Sequence, residues 1–223
     1  EKLSSNKILI AAGTKPRIPD IKGLSTTKYV TSDEALRLRV QPNVLTIIGG
    51  GYIAAELGHF FGSLGTKINI IHRGKYLLPH EDEEISKKFT EIFSKKYNVY
   101  LDCTPNEINK RNGNFVVSIK KSDSNRNLEI ESDQLLVAAG RIANSDSLNL
   151  PMTGIEVNDD GFIKVDGTLS TNVDGIFALG DIIGLYQFRH SANLEAQYAF
   201  YNIVNPMKKI HVDYSVMPHA IFS

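Results

Sequence analysis

The chain has 223 residues, 42% of them hydrophobic, and its 25 Lys and Arg balance 25 Asp and Glu. That suits one large domain, or one domain with part of another, and it supports a buried core. The interspersed charge argues against a nucleic-acid surface, and no apolar run approaches the ~20 residues of a membrane span.

The single cysteine, Cys103, excludes an internal disulfide framework and fits a reducing, cytoplasmic setting. It follows a short apolar segment and reads as a buried structural thiol. The start, Glu1-Lys2-Leu3, carries no signal-peptide pattern. No His, Cys and Asp cluster has metal-ligand spacing.

In chain order, residues 7–13 form a short apolar strand ending in glycine, and a proline-stiffened loop covers 14–19. A helix start falls at 32–35, with Ser32 or Asp33 as its cap. Residues 44–73 then form a compact βαβ unit: an apolar strand, the turn Gly49-Gly50-Gly51, an amphipathic helix, and a strand over 67–71 ending at His72-Arg73. After the loop at 77–79, Glu81-Asp82-Glu83-Glu84 opens a helix with Ile85, Phe89, Ile92 and Phe93 on one face. Residues 99–101 return as a strand. Segments 115–120 and 128–131, joined by a polar turn at 122–127, read as an antiparallel meander. A strand over 134–138 ends in Ala139-Gly140-Arg141, and a strand over 175–179 ends in Gly180-Asp181. A helix over 190–204 turns Ala192, Ala196, Ala199 and Ile203 inward.

The βαβ unit carries a dinucleotide-binding fingerprint. Gly49 allows a tight turn, Gly51 lets a pyrophosphate approach the backbone, and Ala54 takes the third small position, where helix packs on strand. The helix start supplies unpaired N–H groups and partial positive charge. The strand before, the helix after and the second strand ending ~20 residues on give the motif its context. Gly13, Gly140 and Gly180 also end strands, where ligands of open α/β sheets bind.

The strings ILIAAGTKPRIP, IIGGGYIAAELG, LLPHEDEEI, LLVAAGRIAN, STNVDGIFALGDI, HSANLEA and MPHAIFS, in this order over nearly the whole chain, resemble the class I pyridine nucleotide-disulfide oxidoreductases, with dihydrolipoamide dehydrogenase and mycothione reductase-like members nearest. The resemblance implies an α/β fold: a Rossmann-like NAD(P)-binding domain, a parallel sheet plus antiparallel meander, inserted in part of a second, FAD-binding Rossmann-like domain. The expected boundaries are 1–39 (FAD-domain piece), 40–142 (NAD(P)-binding domain), 143–215 (FAD-domain piece) and 216–223 (start of an interface domain). The family's first glycine motif with its CxxxxC redox disulfide, and its closing His-Glu acid–base pair, have no counterpart here. The chain therefore reads as an internal fragment with no catalytic residue of its own, expected to be inactive alone and to hold FAD weakly or not at all.

The resemblance also distributes roles. Gly49, Gly51, Ile53 and Ala54 meet the nicotinamide dinucleotide. Tyr52 either covers the nicotinamide pocket or packs on the core. Glu56 either approaches the nicotinamide or complements the helix dipole. His72 stands where NAD enzymes place an acid for the ribose 2′-OH, and Arg73 follows, suited to a 2′-phosphate. Ala54 is NADP-like as well, whereas Gly58 is NAD-like and Pro79 replaces a second arginine. The balance leans to NADP over NAD. Asp181 matches the acid that bonds the FAD ribitol, with a helix cap as its other reading. Ala12, Gly13 and Thr14 match the loop near the FAD adenosine, Gly140 and Arg141 the crossing between domains, and Gln187, Phe188, Arg189 and His190 the segment over the flavin pyrimidine.

The implied function is electron transfer between NAD(P)H, FAD and a disulfide or dithiol substrate in a full-length homodimer, with neither nucleic acid nor membrane as partner. The alternatives are a relative with another acceptor (mercuric ion, oxygen or a quinone) and a non-catalytic NAD(P)-binding module.

Overall fold

The structure is a computed structural model that describes residues 3–121 and 127–223. Its elements, in chain order, are β1 (Ile8–Ile10), β2 (Thr14–Pro16), α1 (Ser32–Ala35), β3 (Val44–Ile48), α2 (Tyr52–Ser63), β4 (Lys67–Ile71), α3 (Glu83–Lys96) and β5 (Asn98–Tyr100). There follow β6 (Cys103–Arg111), β7 (Asn114–Lys121), β8 (Asn127–Ser132), β9 (Gln134–Val137), β10 (Arg141–Ala143), β11 (Ile176–Ala178) and α4 (Arg189–Val204). Of the polar turn expected at 122–127, residues 122–126 lie outside the described residues. No described helix is long and apolar enough to cross a membrane.

The chain divides into two compact units, one made of the residues up to Lys15 with Arg141–His219, the other of Pro16–Gly140 with Ala220–Ser223. In the second, a sheet of order β5-β4-β3-β9 is parallel throughout, with Ile48 beside both Ile71 and Val137. Side chains alternate across such a sheet. Leu45, Ile47, Ile68, Ile70 and Leu136 therefore pack with Ala54, Leu57 and Phe61 of α2 and Phe93 of α3. Ile48, Ile71, Leu135 and Val137 face the other way, onto Phe115, Val117, Ile119 and Ile130 of the antiparallel sheet β6-β7-β8. Both faces are covered, which is why these strands read as continuous apolar runs.

The meander has a strand more than expected. β6 joins β7 through Asn112-Gly113, whose φ values of 51° and 87° are those of a two-residue hairpin turn. Residues 16–39 also lie differently from the expected division, inside the unit of the glycine turn. Val30 donates to Leu135 O (2.9 Å), Val137 to Val30 O (2.8 Å) and Ile108 to Lys22 O (2.8 Å). The cap of α1 is Thr31, one residue before the expected position, in a reciprocal box with Glu34.

Two helices present faces other than those expected. In α3 Phe89 and Phe93 pack on the core as expected, but Ser86 and Thr90 are buried where Ile85 and Ile92 are exposed. Hydroxyls set this rotation. Ser86 Oγ donates to Leu78 O (2.7 Å), and Thr90 Oγ1 accepts from Leu77 N (2.8 Å). In α4 of the first unit the buried residues are Ser191, Glu195, Ala199 and Asn202, and Ala196 is exposed. Here too the polar groups are satisfied. Asn202 donates to Thr168 O (3.0 Å) and Ile210 O (2.8 Å) and accepts from Ile210 N (2.8 Å). The rest of that unit is built on β1 running parallel to β11, with β2 beside β10. Its core includes Ala143, Leu150, Ile163, Ala178 and Ile182.

Candidate functional site

The glycine turn lies at the carboxyl end of β3. Gly49 adopts φ +136°, and a Cβ there would stand 2.0 Å from Ala138 O, so only glycine fits. Gly49 N donates to Ile71 O (3.0 Å) and Leu78 N to Gly50 O (2.7 Å), tying the turn to the end of β4 and the loop beyond it. Gly51 behaves differently. Its φ of −84° is open to any residue, and a Cβ there would meet nothing within 4 Å. Gly51 caps α2 without any side-chain hydrogen bond. The start of a twelve-residue helix thus faces open space with backbone donors, the arrangement a pyrophosphate requires. Ala54 is buried against the sheet, and Tyr52, Ile53 and Glu56 are half-buried. Glu56 Oε1 accepts from Phe222 N at 3.1 Å.

His72 and Arg73 part company. His72 is 9% exposed, its ring lies where Cβ atoms on Gly50 and Gly74 would have to go, and its Nε2 is buried without a hydrogen-bond partner. Burial pushes its pKa below the ordinary imidazole value, opposed by a backbone contact at Tyr76. Arg73 is exposed. The two residues that end the strand thus offer a cation outward and a buried imidazole inward, with Asp102 in electrostatic reach of that ring.

In the other unit the ends of β1 and β11 converge on one cluster. Thr14 Oγ1 donates to Asp181 Oδ2 (3.0 Å); Arg141 donates through Nε to Thr14 Oγ1 (2.6 Å) and through Nη2 to Thr14 O (2.8 Å), and lies 4.0 Å from Asp181. Thr14 thus forms one polar group with two residues 127 and 167 positions further along the chain. Gly13, at φ +68°, and Gly140, at φ +110°, both have open space where a Cβ would be, and Ala12 O accepts from Asn144 Nδ2 (2.8 Å).

The family profile described as pyridine nucleotide-disulphide oxidoreductase matches residues 1–196. The chain belongs to this family. It is 34% identical to mycothione reductase of Mycobacterium tuberculosis over its whole length, which is 48% of that protein, and 35% identical to mercuric reductase of Lysinibacillus sphaericus, covering 40%. A solved structure of the HOCl-induced flavoprotein disulfide reductase RclA from Escherichia coli superposes with a TM-score of 0.81 at 29% identity, over 92% of this chain and 46% of that one. The chain spans about half the length, or less, of the relatives it matches.

Against the oxidoreductase family pattern, the segment at 187–190 also has internal order. The Phe188 ring stacks on His190 (centroids 5.5 Å apart) and on His219 (5.0 Å), Gln187 is half-buried, and Arg189 is exposed. Among the described residues, no three His, Cys, Asp or Glu side chains are placed to hold a metal. Cys103 is buried, its thiol donating to Leu101 O at 3.1 Å.

Sequence reasoning missed Glu195 and Tyr214. Glu195 is fully buried; its Oε2 accepts from Gly180 N (2.6 Å) and its Oε1 from Tyr214 Oη (3.0 Å). Burial raises its pKa against those two hydrogen bonds, and burial likewise raises that of Tyr214. A signal was available: Ser191, Glu195 and Asn202 recur at helical spacing, which marks a polar face that must find partners wherever it is buried.

Proposed function

We propose that the chain is the dinucleotide-handling part of a flavoprotein oxidoreductase that moves electrons between NAD(P)H, FAD and a disulfide or dithiol substrate, in the manner of dihydrolipoamide dehydrogenase. The observation that carries this reading is the open, uncapped helix start at Gly51. Backbone donors at the start of α2 bind the coenzyme pyrophosphate, with Gly49 shaping the turn and Ala54 seating the helix. Tyr52, Ile53 and Glu56 line the nicotinamide end, and Gly140 leaves room beside it. Asp181, oriented by Thr14 and Arg141, accepts from the flavin's sugar alcohol. Ala12 and Gly13 lie along the adenosine, and Gln187, Phe188, Arg189 and His190 cover the pyrimidine. When bound, the nicotinamide and the flavin supply the hydride and electron chemistry; the residues here bind and orient them.

Arg73 selects NADPH over NADH. It is exposed beside a buried His72, and the two positions that follow the strand, 72 and 73, carry no acid to bond a 2′-hydroxyl. Isothermal titration tests this: Arg73→Glu should weaken NADPH by about tenfold or more while NADH changes little. Equal losses for both coenzymes would reject the assignment.

With Cys103 as its single cysteine, the chain has no dithiol pair to offer a substrate. The 223 residues by themselves should therefore oxidise no NADPH when given a disulfide substrate, and measurable turnover would refute this. The similarity to mercuric reductase supports a second reading, with mercuric ion as acceptor; parallel assays of the longer enzyme with mercuric ion and with disulfides separate the two. For that enzyme a cytoplasmic homodimer is the expected form, open to sedimentation analysis.

A further inference from the structure

Glu195 lies in the middle of α4 with no exposure to solvent. A carboxylate in such a place is costly unless both oxygens are satisfied. Both are. Tyr214 holds Oε1 at 3.0 Å, and Oε2 takes the amide of Gly180 at 2.6 Å. Gly180 sits at φ +76°, immediately before Asp181. Asp181 is thus held twice, through its own carboxylate by Thr14 and through the preceding backbone amide by Glu195.

We infer that Glu195 is a positioning residue for flavin binding: anchored by Tyr214, it fixes the Gly180 amide and so sets the direction in which Asp181 offers its carboxylate to the flavin's sugar alcohol. The inference rests on the reading of Asp181 as a flavin contact. An apolar side chain at 195 would leave the Gly180 N–H and the Tyr214 hydroxyl unsatisfied in the core. Glutamine keeps the shape but offers one acceptor oxygen where the carboxylate offers two, and it brings an NH₂ donor against a second donor. That makes Glu195→Gln diagnostic with little change in volume.

The test is a double-mutant cycle in the longer enzyme that contains this chain, stripped of its flavin, titrated with FAD and followed by flavin fluorescence, comparing Glu195→Gln, Asp181→Asn and both together. Melting temperature and amide exchange at Gly180 are read in parallel. Glu195→Gln should weaken FAD about tenfold, since one hydrogen bond to a charged group is lost, and should speed exchange at Gly180. In the Asp181→Asn background it should add nothing, because its effect passes through Asp181. Tyr214→Phe, which removes only the anchor, should weaken FAD by a smaller factor. Unchanged FAD affinity in Glu195→Gln while Asp181→Asn binds worse would overturn the inference and leave the flavin site standing. Losses that multiply in full in the double variant would overturn it too. If neither single variant alters FAD binding, the flavin reading of Asp181 fails and this inference falls with it.

Discussion

The first and last glycines of the turn carry different burdens. Gly49 is required by the fold, since its φ is +136° and a Cβ would press on Ala138 O. Gly51 has neither constraint, so its value lies in the space it leaves open. His72 shows a third use of the same region, as filler between Gly50 and Gly74. Its pKa is depressed in the folded chain because burial disfavours the imidazolium. The unfolded chain therefore binds the proton more readily. The stability this group contributes is present above the ordinary imidazole value of about 6.5 and is lost as pH falls through the depressed folded value. Urea denaturation across that range should show declining stability on acidification, and His72→Gln should flatten the decline. An identical pH slope in the variant would contradict the burial account.

At the scale of elements, the βαβ unit was legible because its signals are local: an apolar run for β3, the three glycines, and small residues where α2 meets the sheet. The orientations of α3 and α4 were not, because apolar periodicity assumes that the buried face is apolar. In α3 the face is chosen by Ser86 and Thr90, whose partners Leu78 and Leu77 lie in the preceding loop. In α4 it is chosen by Glu195 and Asn202, whose partners lie in other segments of the first unit. β6 escaped notice for a related reason: its burial is irregular around a bulge at Pro105, though Asn112-Gly113 announces its turn. Thr90→Val, which keeps the shape and removes the hydroxyl, should cost about 1–3 kcal/mol in urea denaturation, the penalty for leaving the buried Leu77 amide unpaired. No loss would mean that apolar packing alone fixes α3.

At the scale of the molecule, the chain leaves its first unit at Lys15, builds the second, and returns at Arg141. The order of motifs places one dinucleotide fingerprint between two segments ending in Gly13 and Asp181. Residues 16–39 attach to the second unit by backbone pairing to β9 and β6, which no shift in composition reveals. The Thr14–Arg141–Asp181 cluster could be named from motifs, but that the three bond one another emerges only from the pairing of β1 with β11 and β2 with β10.

The central claim is that open space at Gly51 receives the pyrophosphate of a pyridine coenzyme, and calorimetric titration of Gly51→Val with NADPH addresses it most directly. Valine is compatible with the extended φ and ψ there and meets no protein atom within 4 Å at its Cβ, so the variant should fold with a melting temperature within a few degrees of the unaltered chain. It should lose about a hundredfold or more in NADPH affinity, because the side chain fills the phosphate's place. A folded Gly51→Val that binds NADPH as tightly as the unaltered chain would contradict the account.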